Sequence, residues 1–165
     1  MSAQTAAVIK RIVRELPDLD RTIIRAERSW KQAPTAVDID VYVDSAGLHL
    51  QSFYTGLERI FEQTARQIDE KVPTGDSWHY DLLLQMGREL AGIRPALLSS
   101  ASVKGLDEFR RFRHVVRNVY ATNLDPEKME NLFTLLPDLW PQVRSELLAF
   151  ADFLRLMEDE TDAGE

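Results

Sequence analysis

The residues best suited to chemistry lie in one short basic segment between positions 104 and 118. Five basic and two acidic residues lie there: Lys104, Arg110, Arg111, Arg113, Arg117, Asp107 and Glu108. The segment therefore carries +3 in a chain of net charge −7, which leaves −10 on the remaining residues. Arginine suits phosphate because its planar guanidinium donates several hydrogen bonds in a fixed geometry. An isolated cationic segment on an acidic protein indicates a binding surface for an anionic group or an acidic partner.

Helical geometry gives these bases distinct positions around one axis. At about 100° per residue, Arg113 lies at the edge of the apolar face that includes Leu106. An arginine at such an edge is partly desolvated, and we predict that Arg113 binds phosphate. The neighbouring Arg110, His114 and Arg117 are secondary candidates. A solvated basic face that binds nothing is the alternative interpretation.

The rest of the sequence offers few other candidates for a reactive site. No cysteine is present, which excludes zinc–thiolate sites, iron–sulfur clusters and cysteine nucleophiles. His49 and His79 stand outside the histidine and glutamate spacings of helical metal sites, so we interpret both as surface or packed residues. The chain also lacks a glycine-rich phosphate-binding loop. We therefore predict no metal site and no cofactor.

The elements that must position these residues are predicted to be helices. Leu and Ala number 36 against 19 for Val and Ile, which favours helix over sheet. Apolar residues recur at steps of three and four along most of the chain. We predict helices at about 9–30, 39–68, 77–90 and 104–121 and from Pro126 onward, with a kink or restart at Pro17 and an end at Pro34.

Local signals refine the ends of these helices. Residues 37–43 alternate between apolar and polar side chains as in a strand, but a lone strand would have no partner, so we prefer a helix. Polar and turn-forming residues predict the remaining breaks: a turn at 73–76, a cap for the third helix at Asp76 or Ser77, a loop at 94–102 and a cap for the last helix at Asp125.

These elements predict one all-α domain. Five helices with short connections form an antiparallel, up-and-down bundle, which we place at residues 1–158, followed by an acidic, frayed tail at 159–165. The longest stretch without a charged side chain runs from Ser45 to Leu57, well below the roughly 20 apolar residues that a membrane span needs. The N-terminus lacks the apolar core of a signal peptide, so we expect a cytoplasmic protein with no membrane association.

The basic helix resembles the signature of the HEPN ribonucleases, specifically the HepT-like toxins. That signature is an arginine, four residues, a histidine, one residue and a tyrosine. Arg113, Asn118 and Tyr120 have this spacing within the stretch RFRHVVRNVYATNLDPEKM. The resemblance continues in LHLQSFYTGLERIFE at 48–62 and in GDSWH at 75–79, and it covers about residues 40–155.

The resemblance implies a HEPN-like homodimer in which two motif helices face each other across a two-fold axis. It implies the toxin of a HEPN/MNT (type VII) toxin–antitoxin pair, a metal-independent endoribonuclease that cleaves RNA, not DNA, in the dimer cleft. The implied partner is a small MNT-type nucleotidyltransferase antitoxin. That antitoxin transfers AMP from ATP to the motif tyrosine, which is Tyr120 here.

One position departs from the motif, because the family's catalytic histidine falls on Asn118. In the implied mechanism the RNA 2′-hydroxyl attacks phosphorus, Arg113 stabilises the developing charge and residue 118 assists proton transfer. Asparagine cannot exchange a proton near neutral pH. Three explanations stay open: Asn118 is an inactivating substitution, it positions groups rather than titrating, or His114 has taken over the role.

A different class of function competes with the ribonuclease hypothesis. The chain is then a catalytically inactive, dimeric helical adaptor whose basic helix binds a nucleotidyltransferase or another acidic partner. The acidic composition and Asn118 favour this rival. The ribonuclease hypothesis favours a dimer, since side chains at 113 and 118 diverge by about 140° on one helix, and a cleft between two such helices can bring them together.

Overall fold

The computed structural model describes residues 2–118 and 124–163, and all their side chains except those of Asn118 and residues 158–163. Within this part of the chain the structure contains α-helices and no β-strand. The helices are α1 (Ala3–Gln32), α2 (Ile39–Gln67), α3 (Trp78–Met86), α4 (Ser100–Asn118) and α5 (Pro126–Ala163). The predicted all-α bundle of five helices is confirmed.

Two long helices, α1 and α2, form the largest packed pair of the bundle. α1 buries one stripe that includes Ile12, Leu16 and Leu19. The helix continues through Pro17, so it does not restart there, because buried residues on both sides hold the turn that lacks a hydrogen bond. A short 3₁₀ turn at Ala33–Thr35 ends α1 at the predicted position.

The strand-like alternation at residues 37–43 leads into a helix, as preferred from the sequence. α2 begins at Ile39, and the side chains of Val37, Ile39 and Val41 are exposed. Their alternation therefore buries no face. The apolar positions that fix α2 in the core follow further along it: Leu50, Phe53, Leu57, Ile60 and Phe61.

Three local predictions around α3 and α4 are wrong. Ser77 stands at the N-cap position of α3, but its side chain makes no capping hydrogen bond. α3 ends at Met86 and does not reach Leu90, which forms an isolated bridge with Arg94. α4 begins inside the predicted loop, at Ser100, because the Ser99 hydroxyl accepts a hydrogen bond from a backbone amide of the first turn.

Arg94 explains why α3 stops early. Its guanidinium donates to Asp69 at 2.5 and 2.7 Å, and both side chains are fully buried. It also donates to the carbonyls of Gln85, Arg88 and Pro95. Arg94 thus satisfies carbonyls at and just after the end of α3 by donating hydrogen bonds to them. Its ion pair with Asp69 holds the loop between α3 and α4 against the end of α2.

The last helix follows the predicted start. Asp125 accepts a hydrogen bond from the amide of Glu127 at 3.0 Å, which confirms the cap. α5 continues through Pro137 and Pro141 and runs to Ala163, into the segment that the sequence predicts to be frayed. The division into a domain at 1–158 and a tail stays a prediction, and the predicted end of α4 near Ala121 lies outside the described residues.

Packing around α2 places the basic helix in the structure. α2 packs against α1, α3 and α4, and α5 closes the bundle against α1 and α4. Asp20 joins α1 to α5 by accepting hydrogen bonds from Trp140 at 2.8 Å and from Arg144 at 3.2 Å. α3 and α4 thus meet over the same stretch of α2. Among the described residues, no helix combines the length and apolarity that a membrane span requires.

Candidate functional site

Arg113 lies on the inner side of α4, where only 7% of the residue is exposed. Its Nε donates to the Thr55 hydroxyl of α2 at 3.0 Å. Its Nη2 lies 3.3 Å from Oε1 of Glu58, which is also buried. The prediction that Arg113 is desolvated is therefore confirmed, and the negative charge that accompanies it comes from α2.

Thr55 is oriented by its own helix. Its hydroxyl donates to the carbonyl of Gln51 at 2.9 Å, one turn earlier in α2. With its proton used in this way, the Thr55 oxygen presents a lone pair to Nε of Arg113. Thr55 and Glu58 stand three positions apart, so they project from the same side of α2. Together they form a fixed cradle for the guanidinium.

The third helix adds a histidine to this pair. Nδ1 of His79 lies 2.6 Å from Oε2 of Glu58 and 3.3 Å from Nη1 of Arg113. The imidazole stacks on Trp78 with ring centroids 3.6 Å apart. Through its two oxygens, Glu58 therefore contacts the basic side chains of two other helices, His79 of α3 and Arg113 of α4.

The charges in this cluster decide the tautomer of His79. An arginine has only donors, and a carboxylate beside an arginine has only acceptors. Nδ1 cannot donate to Glu58 and accept from Arg113 with one proton. The shorter contact, to Glu58, requires Nδ1 to carry the hydrogen. The approach of Nη1 is then a close contact between two donors, and Nε2 holds the lone pair of the neutral ring.

The cluster forms the wall of a cleft of about 500 Å³. A second cleft of about 490 Å³ lies on the other side of Arg113, and Arg113 and Arg117 border both. Several basic side chains and one flat aromatic side chain line the first cleft. Its lining is Gly75, Asp76, Trp78, His79, Arg113, His114 and Arg117.

A family model described as HepT-like protein matches residues 45–154. The chain belongs to the HepT-like family. The match confirms the resemblance seen in the basic helix, and it contains Thr55, Glu58, His79 and Arg113, while the whole of α1 lies outside it. Searches of curated proteins and of solved structures found no match.

Two of the three secondary candidates join Arg113 in this HepT-like chain. His114 and Arg117 are exposed and line the first cleft. Arg110 does not line either cleft. Its Nε pairs with Asp107 at 2.7 Å, and its guanidinium carbon lies 5.0 Å from the centre of the Tyr80 ring.

Of the two remaining motif positions, one falls within the described residues. Asn118 is the last residue of α4, and its side chain is outside the described set. Tyr120 lies outside the described residues altogether. The proton-transfer role of position 118 and the modification of Tyr120 therefore stay predictions. Within the described residues, no three His, Asp or Glu side chains are grouped to hold a metal ion.

Sequence reasoning missed Glu58 and His79. The sequence interpretation of His79 was an ordinary surface or packed histidine, and Glu58 received no role. The contact between them joins residues 21 positions apart, and that between His79 and Arg113 joins residues 34 apart. Local periodicity carries no information on such pairs. The available signal was that both residues lie in the upstream blocks that resemble the HepT-like toxins.

Proposed function

We propose that this HepT-like protein is a metal-independent endoribonuclease, the toxin of a HEPN/MNT toxin–antitoxin pair. The observation that carries the proposal is the buried guanidinium of Arg113. Thr55 and Glu58 hold it on the wall of a cleft that is lined by basic side chains. A preorganised guanidinium in a desolvated site stabilises charge that develops on a phosphate during reaction. RNA supplies its own nucleophile, the 2′-hydroxyl, so the reaction requires positioning and charge stabilisation rather than a metal.

The hydrogen-bond inventory supports a phosphate at this point. Nδ1 of His79 is a donor, so Nη1 of Arg113 gains no acceptor from the ring at 3.3 Å. A non-bridging phosphate oxygen would supply that acceptor and match the geometry of a guanidinium. Arg117 adds an exposed positive charge to the same cleft. Trp78 adds a partly buried aromatic face, on which a nucleobase can stack.

We also propose that two copies assemble with their α4 helices facing each other. This arrangement joins two clefts and brings the end of one α4 helix towards the Arg113 of the other. Sedimentation at micromolar concentration tests it, and a monomer would count against the shared cleft.

For regulation, we propose that an MNT-type nucleotidyltransferase attaches AMP to Tyr120. Incubation with that partner, ATP and magnesium, followed by peptide mass spectrometry of the wild type and of Tyr120→Phe, tests this step.

Two exposed arginines of α4 provide a matched test of the cleft. Arg117 lines both clefts beside Arg113, whereas Arg111 lies on the other side of the helix, paired with Asp107. Both Arg117→Gln and Arg111→Gln remove one exposed positive charge. We expect Arg117→Gln to weaken RNA binding and to reduce the salt dependence by about one unit of log–log slope, as for the loss of one phosphate contact. Equal effects of the two substitutions would contradict a specific cleft.

The adaptor hypothesis remains a second candidate because of one observation. Much of the charge on α4 is compensated inside the protein: Arg113 by Glu58, and Arg110 and Arg111 by Asp107. Glu58 lies outside the segment 104–118 and is not part of its +3, so the surroundings of Arg113 carry less net positive charge than that count indicates. An adaptor would bind the nucleotidyltransferase without cleaving RNA at any concentration, and its binding would survive Arg113→Lys. Cleavage of RNA by the wild-type protein in a chelating buffer excludes this hypothesis.

A further inference from the structure

We propose that His79 is the catalytic base of this cleft and that Glu58 is its positioning residue. The proposal rests on the ribonuclease function proposed above and adds to it a residue outside the motif on α4. It answers the difficulty posed by Asn118, because it identifies an imidazole next to Arg113, and an imidazole can act as a general base where an asparagine side chain cannot.

The first argument is the bond between His79 and Glu58. The 2.6 Å contact places the proton of the neutral ring on Nδ1. Whenever the ring is neutral its lone pair therefore lies on Nε2, and no hydrogen-bond partner for Nε2 is found among the described residues. A buried carboxylate that fixes the tautomer of an imidazole and stabilises its protonated form is the arrangement by which histidine bases are prepared for catalysis.

The second argument is accessibility together with rigidity. The His79 side chain is 26% exposed, while the Glu58 side chain is only 4% exposed. The ring is held on one face by Trp78 and at Nδ1 by Glu58. The imidazole thus reaches the cleft while its partner stays shielded from water. A base held in one orientation needs little reorganisation when a substrate arrives.

The third argument is the distance between His79 and Arg113. Nδ1 lies 3.3 Å from Nη1, so the base and the guanidinium are direct neighbours on one wall. A ribose 2′-hydroxyl and the adjacent phosphate are neighbours in RNA in the same way. A phosphate oxygen bound at Nη1 of Arg113 therefore brings the 2′-hydroxyl close to the imidazole.

His114 is the competing base within the described cleft. It also lines the cavity, and it lies one position after Arg113 on an exposed part of α4. The buried carboxylate of the cleft, however, bonds to His79. The bond to Glu58 and the 3.3 Å distance from Nδ1 to Nη1 of Arg113 hold His79 beside the proposed phosphate site, and these two observations favour it as the base.

The chemical step is a balanced transesterification. The 2′-oxygen forms a bond to phosphorus as its proton passes to Nε2 of His79, and the bond from phosphorus to the 5′-oxygen breaks. The 5′-oxygen leaves with the bonding electron pair and takes a proton from water. His79 then returns its proton to solvent. The products are a 2′,3′-cyclic phosphate and a 5′-hydroxyl.

The test uses the full-length protein, a chelating buffer and two probes: bulk bacterial RNA, and a mixed-sequence oligoribonucleotide with a 2′-O-methyl copy. His79→Gln should lower the rate by about 10²–10⁴-fold, the usual effect of losing a positioned general base. His49→Gln, outside both clefts, is the matched control and should keep the wild-type rate. His114→Gln should lower the rate less than His79→Gln does, and Asn118→His should raise the rate by less than about 10-fold, because neither residue is the base.

Two further variants separate catalysis from folding. In His79→Ala, added imidazole should restore a large part of the lost rate, which a purely structural role of the ring does not allow. In Glu58→Gln, kcat should fall by about 10–100-fold, as expected for a group that orients a catalytic residue. Imidazole should not rescue Glu58→Gln, since His79 still fills its place.

The outcomes distinguish this proposal from the one on which it rests. If the wild-type protein cleaves RNA and His79→Gln cleaves equally well, the role of His79 is overturned while the ribonuclease stands. The same holds if His114→Gln removes activity, if Asn118→His raises it by about 10²–10⁴-fold, or if imidazole fails to restore His79→Ala. If the wild-type protein cleaves no probe, or cleaves the 2′-O-methyl copy equally, the ribonuclease mechanism itself fails.

Discussion

Glu58 and His79 lie 21 positions apart in the chain and meet at 2.6 Å, with the carboxylate buried and the imidazole at the edge of a cleft. The contact joins α2 to α3 at the level where α2 also holds Arg113 of α4. The buried Glu58 carboxylate thus holds the basic side chains of His79 and Arg113, which come from two other helices. The geometry of the site depends on the packing of three helices and not on α4 alone.

The first prediction concerns the ion pair between Glu58 and Arg113. Arg113→Met should lower the free energy of unfolding by about 3–5 kcal/mol, because it leaves a buried carboxylate without its partner. Glu58→Met should act in the same direction. The double variant should be more stable than the sum of the single effects predicts, since two apolar groups replace the pair. Denaturant titration followed by circular dichroism measures all three, and strict additivity would contradict the coupling.

A second prediction concerns the pair between Asp69 and Arg94. Both side chains are fully buried, so Asp69→Asn should cost about 3–5 kcal/mol of the free energy of unfolding. Asp152→Asn provides the control, because Asp152 pairs with Arg155 on the surface and its loss should cost no more than about 1 kcal/mol. Similar losses for the two variants would mean that the Arg94 pair does not hold the loop.

The hydroxyl of Tyr54 provides a third prediction. Tyr54 is fully buried, and its oxygen has no hydrogen-bond partner among the described residues. Burial first, and then the charge of Glu58, raise the pKa of Tyr54 well above its ordinary value, so the side chain stays neutral. Tyr54→Phe should therefore raise the free energy of unfolding by about 1 kcal/mol, because an unsatisfied polar group leaves the core. Tyr42 of α2 is only partly buried, so Tyr42→Phe is the control and should change the stability less. A loss of stability in Tyr54→Phe would reveal a bond that the hydroxyl makes.

The fourth prediction concerns stability in mild acid. Burial, and then the charge of Arg25, lower the pKa of His49 below its ordinary value of 6.5. Between the folded and unfolded pKa values the unfolded chain binds more protons, so stability rises with pH. The His49 contribution to stability is therefore complete above about pH 6.5 and is lost as the pH falls below it.

His49→Gln should remove this dependence. The difference in denaturation midpoint between about pH 7.5 and about pH 5.5 should be smaller in His49→Gln than in the wild-type protein. Other groups that titrate in this range contribute equally to both proteins and cancel in the comparison. An unchanged or larger difference would show that the His49 environment does not disfavour the charged ring.

The sequence predicted the helices and the position of Arg113 at the edge of the apolar face of α4, because both follow from local periodicity. The spacing of apolar residues along α4 places Arg113 at the edge of the core without reference to any other helix. The end of α3 was missed because it depends on Arg94, whose partner Asp69 lies 25 positions earlier. Glu58 was missed for a similar reason. Its local sequence, a glutamate beside a buried leucine, does not indicate that His79 and Arg113 contact it.

The most direct test of the ribonuclease assignment is the chemistry of the RNA ends. The wild-type protein is incubated with bulk bacterial RNA in a chelating buffer, and the products are analysed by mass spectrometry. Attack by the 2′-hydroxyl predicts fragments that end in a 2′,3′-cyclic phosphate and begin with a 5′-hydroxyl, and their absence with Arg113→Lys. Intact RNA, or fragments with 3′-hydroxyl and 5′-phosphate ends, would contradict a ribonuclease site built on Arg113 and His79.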